Sequence, residues 1–311
     1  MTEARFLRSI LFVPGHQGER IAKAARSGAD AIMIDLEDAV PASHKAAARG
    51  VTRESIAALG TGAPAVFVRL NGWGEGSMLA DLDAIVAANL HGVALPKCDG
   101  PGQVVALDLV LGDLERSRSL PPGAIEILPM LETAAGMRRN FEVLQCSPRV
   151  RRAGGVVGAA PGGDYHRALG NEWSPEGLES LYVNSRVVLD ARAAGLDNII
   201  CGPVTDVGDE ALLRNVMTAA RRIGANGALA IHPRQVPIIN GIFSPSPERI
   251  AEAVAVLRAM DAAVREGKAA VVLDGKMIDY AHVRWANLLL ERARSMGIDA
   301  GDVPRITPPA P

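Results

Sequence analysis

The sequence predicts an α/β chain: a (β/α)8 TIM barrel followed by a C-terminal helical extension. Three observations lead there. Short apolar, β-branched runs recur eight times, and several are apolar at every position, as strands buried on both faces require. Each is followed by a helix signal, and the eight units together use about 250 residues, the expected count for such a barrel. The phosphate fingerprints of a doubly wound open sheet, which the alternation alone would also fit, do not occur: no GxGxxG follows the first strand and no GxxxxGK[ST] is found.

In chain order the expected strands are Ser9–Val13, Ala31–Leu36, Ala65–Leu70, Gly92–Leu95, Ile125–Leu131, Gly154–Gly158, Asn198–Gly202 and Ala228–Ile231. Between them, Ser174-Pro175-Glu176 reads as an N-cap with proline at the first helical position. A helix would follow with Leu178, Leu181, Tyr182, Val188 and Leu189 on its apolar face. Ser246-Pro247-Glu248 repeats the device before Ile250, Val254 and Leu257, with a helix to about Glu266. A short Ala269–Leu273 run, a helix from about Tyr280 to Met296 and an extended proline-rich tail complete the extension. The barrel is expected over 1–268. Residues 269–311 are expected to form an extension that packs on a neighbouring subunit.

Composition narrows the function. The 311 residues carry 33 Lys and Arg against 35 Asp and Glu, a net charge of −2, with 48% hydrophobic and 22% charged residues. A near-neutral surface with short, scattered arginine pairs offers no field for nucleic acid. No apolar stretch is long enough for a membrane span, and the four-residue run Ile10–Val13 is too short for a secretory signal. Three widely spaced cysteines, Cys98, Cys146 and Cys201, argue against disulfides and thiolate zinc, so a cytoplasmic protein is expected.

Barrel chemistry sits where strands end. Just past the eight runs stand Pro14-Gly15-His16, then Asp35, Glu37 and Asp38, Arg69 with Asn71, Lys97, Glu132, Asp164, Asp206 and His232. Charged groups abutting buried strands must be paired or coordinated, which points to one polar pocket. Glu132 and Asp164 suit a hard cation such as magnesium, held by one or two carboxylates with substrate and water; salt bridges to Arg69 and Lys97 would explain them equally. Arg69 suits an oxyanion or carboxylate, or else neutralises the acids. The DLED patch can orient Lys or Arg side chains or a metal's water shell. His232 reads as a structural hydrogen-bonder, and Cys98 as an inert core residue. The glycines Gly154-Gly155 and Gly162-Gly163 fit a phosphate approach or tight packing. The histidines His16, His44, His91, His166 and His282 show no metal-binding spacing.

Taken in order, these stretches resemble the citrate lyase β-subunit family within the HpcH/HpaI aldolase group. The matching segments are RSILFVPG (8–15), GADAIMIDLEDAV (28–40), VRLNG (68–72), GVALPK (92–97), LPMLETAAG (128–136), GGDYHRALG (162–170), ARAAGLDNI (191–199), AIHPRQV (230–236) and DGKMID (274–279). The last resembles the lid motif of the malyl-CoA and citramalyl-CoA lyase branch. The resemblance implies a magnesium-dependent lyase that cleaves a carboxylated 3-hydroxyacyl-CoA, such as malyl-CoA, citramalyl-CoA or citryl-CoA, to an acyl-CoA and a 2-oxo acid. It implies Glu132 and Asp164 as Mg²⁺ ligands, Arg69 as the stabiliser of the reacting oxygen, and Asp279 as the proton-exchanging group. Asp279 would come from a lid donated in trans within a homotrimer or hexamer. With the strand-end reading, the candidate catalytic set is Arg69, Glu37, Asp38 and, through the resemblance, Asp279. The substrate contacts are Arg69, Glu132, Lys97, Pro14 and Gly15. Two departures from the family pattern stand out: Ala228 where a lysine is common, and Gly163 where an acid is common. A malyl-CoA-type thioesterase, a CoA-independent class II aldolase and a non-catalytic subunit are the competing expectations.

Overall fold

The computed structural model describes residues 6–60 and 63–308. They divide into two compact units, Leu7–Phe243 and, with Phe6, the segment from Ser244 onward. The first holds eight strands: β1 (Ser9–Pro14), β2 (Ala31–Asp35), β3 (Ala65–Arg69), β4 (Gly92–Leu95), β5 (Glu126–Pro129), β6 (Arg152–Val156), β7 (Asn198–Cys201) and β8 (Gly227–Ala230). All paired neighbours are parallel, in the order β5-β4-β3-β2-β1-β8-β7-β6. A single parallel bridge, Met130 to Gly154, joins β5 to β6, so the sheet closes on itself as the expected barrel.

Alternation along each strand builds two cores. Side chains such as Ile10, Met33, Phe67, Ala94, Leu128 and Ile200 fill the barrel interior. Their neighbours Leu11, Ile32, Ile34, Val66, Val68, Val93 and Ile127 face outward and pack in the apolar shell with helix residues such as Ile56, Leu82 and Leu107. Gly92 is required by this packing: a Cβ there would lie 2.4 Å from the Phe67 ring. Arg152, at the start of β6, is buried with Glu126 and Asn198 and stacks 5.5 Å from the centre of the same ring.

The helix expected from Pro175 begins later, at Leu178, and runs to Ala193. Gly177, in a left-handed conformation (φ 66°), separates it from a turn. In that turn the Ser174 hydroxyl accepts the Gly177 N–H and donates to Glu179. The buried face is also not the expected one. Ser180, Asn184, Val187, Asp190 and Ala191 face inward, whereas Leu178, Leu181, Tyr182 and Leu189 are exposed. Asn184 explains the choice: its side-chain oxygen accepts the Val157 N–H at 2.7 Å, satisfying the backbone just past the bulged end of β6.

In the second unit, Ser246 caps the helix Pro247–Arg265 by accepting the Arg249 N–H, with proline at the first position as expected. This helix, counted with the barrel in the 1–268 division, shares its apolar cluster with the helix Tyr280–Ser295 instead. Between them lies an antiparallel hairpin, β9 (Ala270–Leu273) and β10 (Lys276–Asp279). Residues 301–308 carry no regular element, and 309–311, the rest of the expected extended tail, lie outside the described residues. No described helix is long and apolar enough to cross a membrane.

Candidate active site

Four consecutive strand ends are tied together by charge. Asp35, at the end of β2, is almost completely buried and accepts the Glu37 and Ala39 N–H groups at 2.9 and 3.0 Å. It also holds Arg69, at the end of β3, through two side-by-side bonds, Nε to Oδ1 at 2.8 Å and Nη2 to Oδ2 at 2.6 Å. Burial alone would push the Asp35 carboxyl up, but Arg69 and the two amides hold it below its usual range. Arg69 lies 5.0 Å from the centre of the Phe12 ring, and its pKa is driven further up by Asp35 despite its own burial.

Glu37 is the next link. Its Oε2 lies 2.8 Å from Arg69 Nη1 yet makes no hydrogen bond, so this contact is Coulombic and off the N–H direction. Its Oε1 accepts from Lys97 Nζ, which also lies 3.4 Å from Asp38. Burial outweighs both cations and raises the Glu37 carboxyl. The acidic patch of β2 therefore orients Arg and Lys side chains. Glu37 and Asp38, candidate catalytic residues by position, stand as partners of these cations.

Lys97 turns the corner to β5. It adopts a left-handed backbone (φ 47°), unusual for a side-chain-bearing residue, and this aims its N–H at Glu132 Oε1, 3.0 Å away. Glu132 is raised by burial, which outweighs the Lys97 N–H and the nearby Arg69 charge. Pro14 and Gly15 close the opposite end of this row. The Gly15 N–H donates to the Asp35 carbonyl at 2.8 Å, and a Cβ at Gly15 would lie 2.8 Å from that same oxygen.

Glu132 and Asp164 line one cavity of about 160 Å³, together with Met130, Leu131, Gly155–Gly158, Tyr165, His166, Pro203 and Leu229. Asp164 opens the short helix Asp164–Leu169, capped by Gly163, and pairs with Arg167 on its own helix. The structure thus brings the two expected metal ligands to one cavity, with Asp164 paired neither to Arg69 nor to Lys97. No cluster of three or more His, Cys, Asp or Glu suited to a metal exists among the described residues. A donor set of two carboxylates fits magnesium, which keeps several waters, and not zinc.

The remaining candidates are held by local hydrogen bonds or by burial. Asn71 is buried, donating to Asp81 and accepting from Lys45. Asp206 accepts the Gly208 and Asp209 N–H groups, and His232 accepts the Arg234 N–H. Burial pushes the Cys98 thiol up to about 12, as an inert core residue requires. Asp279 belongs to the second unit, where it caps the helix Tyr280–Ser295 by accepting the Ala281 N–H and lies 2.9 Å from His282 Nδ1. That contact lowers the Asp279 pKa. Sequence reasoning passed over Asp35 as one acid among several and His166 as a lone histidine.

A parallel barrel whose strand ends present paired acids beside a held arginine belongs to the class of TIM-barrel proteins with a polar, cation-ready mouth. Comparison with known proteins makes this specific. Residues 8–233 match the HpcH/HpaI aldolase/citrate lyase family, and the chain belongs to it. It is 38% identical to a citrate lyase subunit beta-like protein of Deinococcus radiodurans, over 91% of this chain and 96% of that one. It is 32% identical to a (3S)-malyl-CoA thioesterase of Cereibacter sphaeroides, over 94% and 97%. Among solved structures it is similar to the protein CitE of Mycobacterium tuberculosis in complex with magnesium, acetoacetate and coenzyme A. That match has a TM-score of 0.70 and 28% identity, and covers 93% of this chain and 98% of that one.

Proposed function

We propose that the chain is a magnesium-dependent carbon–carbon lyase that cleaves a carboxylated 3-hydroxyacyl-CoA to an acyl-CoA and a 2-oxo acid. The observation that carries this reading is that Glu132 and Asp164 line one cavity, while Arg69 acts on the charge of Glu132. Glu132 and Asp164 would hold the ion. Magnesium, when bound, would supply positive charge to offset the negative charge developing on the hydroxyl oxygen of the carbon whose C–C bond breaks.

The protein's own groups do the rest. An arginine has five N–H donors. Arg69 commits two to Asp35, and its Glu37 contact claims at most one more, leaving others for the substrate oxygen. Because Asp35 and Glu37 fix the guanidinium beforehand, its field needs no reorganisation as negative charge grows on that oxygen. Asp279 would exchange the proton with the acyl-CoA enolate, delivered from a neighbouring copy in a homotrimer or hexamer. The identity to a malyl-CoA thioesterase favours a second reading, hydrolysis of the same kind of thioester.

Mass spectrometry of the products from malyl-CoA, citramalyl-CoA, β-methylmalyl-CoA and citryl-CoA, with Mg²⁺ and with EDTA, tests both. Metal-dependent acetyl-CoA or propionyl-CoA supports the lyase and names its substrate. Free CoA alone supports the thioesterase, and silence across the panel removes the case for thioester chemistry.

A further inference from the structure

A second cavity, also of about 160 Å³, shares no residue with the one that holds Glu132 and Asp164. It lies among the helices Ala134–Arg138, Asn140–Gln145, Asp164–Leu169 and Leu178–Ala193. Asn140 lines it and is only 1% exposed. Neither its side-chain oxygen nor its side-chain nitrogen has a hydrogen-bond partner among the described residues. A buried amide left bare at both atoms loses its hydration with nothing in return, and such groups are rare in folded proteins. An amide does not titrate, so Asn140 offers one acceptor beside one donor group at any pH. A ligand that answers both carries a donor and an acceptor side by side in one plane.

The walls narrow the choice. Met137 is buried, Val183 is half-buried, and Leu169 and Tyr182 stand exposed at the rim. Together they offer hydrocarbon and aromatic faces that suit a flat ring. The volume is well above that of one water and below that of a pocket for a drug-sized ligand, so it takes a single ring system. The rest of such a molecule would meet cations. Arg138 is exposed, and Arg186, whose Nε donates to Asp190, lies one turn from Tyr182 on the same helix. A nucleotide has both parts: asparagine pairs in bidentate fashion with the adjacent donor and acceptor of a base edge, and arginine suits phosphate. A carboxylate in the cavity would leave the amide oxygen unpaired.

We propose that this cavity is a nucleotide subsite, taking the base of a nucleoside monophosphate on Asn140 with its phosphate towards Arg138 and Arg186. The inference goes beyond the lyase reading and does not rest on it. Titration calorimetry in EDTA with AMP, GMP, CMP and UMP, and with ribose 5-phosphate as a probe lacking the base, tests it on the wild-type protein. At least one nucleotide is expected to bind about tenfold more tightly than ribose 5-phosphate, or better, as a bidentate pair to a base edge allows. In Asn140→Leu that ratio should collapse towards one. Leu169→Trp, which fills the cavity from its exposed rim, should abolish nucleotide binding and serves where loss of Asn140 prevents folding. Equal binding of nucleotides and ribose 5-phosphate in the wild type overturns the proposal; water would then satisfy Asn140. Nucleotide binding that requires Mg²⁺ also overturns it, because the ligand would then sit at the acids of the other cavity. Coenzyme A should bind the wild type and both variants alike. A parallel loss of its affinity in the variants would assign the cavity to the adenine end of the thioester and overturn a separate nucleotide site.

Discussion

Replacing Asp35 with asparagine isolates the contact on which the strand-end row depends. The carboxylate accepts four hydrogen bonds, two from Arg69 and two from the Glu37 and Ala39 amides. Asparagine has one acceptor oxygen, and its NH₂ must face donors on the other side. Removing one partner of a buried pair typically costs 3–5 kcal/mol, and because Glu37 still faces Arg69, a loss of about 3 kcal/mol is expected. For a domain of this size that corresponds to a fall in Tm of roughly 6–12 °C. The sign with pH follows from the lowered pKa. Asp35 contributes stability above its unfolded value near 3.8, and this is lost as pH falls through the still lower folded value. Melting curves of Asp35→Asn and wild type should therefore differ at pH 7 and converge in strong acid. Turnover should drop about 100-fold through misplacement of the guanidinium. If the variant melts within about 2 °C of wild type at pH 7, the buried pair does not hold Arg69 and the argument for a preset site fails.

Two further outcomes follow from the same geometry. Glu132 has a raised folded pKa, so its contribution is complete below its unfolded value and is lost as pH rises through the folded one. Glu132→Gln, which never ionises, should melt at or above wild type at pH 8 without metal, and 10 mM MgCl₂, an on-the-order-of saturating concentration, should raise Tm of wild type alone; a magnesium shift retained in the variant would sink the ligand assignment. Asp279→Asn keeps a good helix cap, so circular dichroism and Tm should be unchanged while lyase activity falls by about 100-fold or more; an active variant would remove Asp279 from the chemistry.

Much of this was legible in the residues, for reasons that differ by element. Strands buried on both faces announce themselves as continuous apolar runs, and β1, β3 and β4 begin where such runs begin. Ser246-Pro247 set a helix start because a cap and a proline act locally. Ser174-Pro175 carried the same local signal, yet Gly177 broke the chain before the helix. The inward face of that helix was set by Asn184 reaching a backbone amide on another element, which no periodicity encodes. In the candidate site, strand-end position singled out Arg69, Glu132 and Asp164 and named Asp35 among the acids, but the grip of Asp35 on Arg69 is visible only in the fold. Asn140 stayed hidden because its signal is an unpaired side chain, and pairing exists only in three dimensions.

The left-handed turn at Lys97 has a wider consequence. One residue addresses Glu132 with its amide and Glu37 with its side chain, so β2 through β5 form a single interlocked block. A change to any member disturbs all of them. The β6 and β7 side of the mouth, built from glycines, short hydrocarbon walls and His166, lies outside that block. Descendants of such a barrel can explore new substrates by altering one half of the rim while the other half, which handles charge, is inherited whole. Directed evolution of selectivity should begin with residues 155–163, short of Asp164, where a failed variant endangers recognition and leaves the reaction centre's scaffold standing.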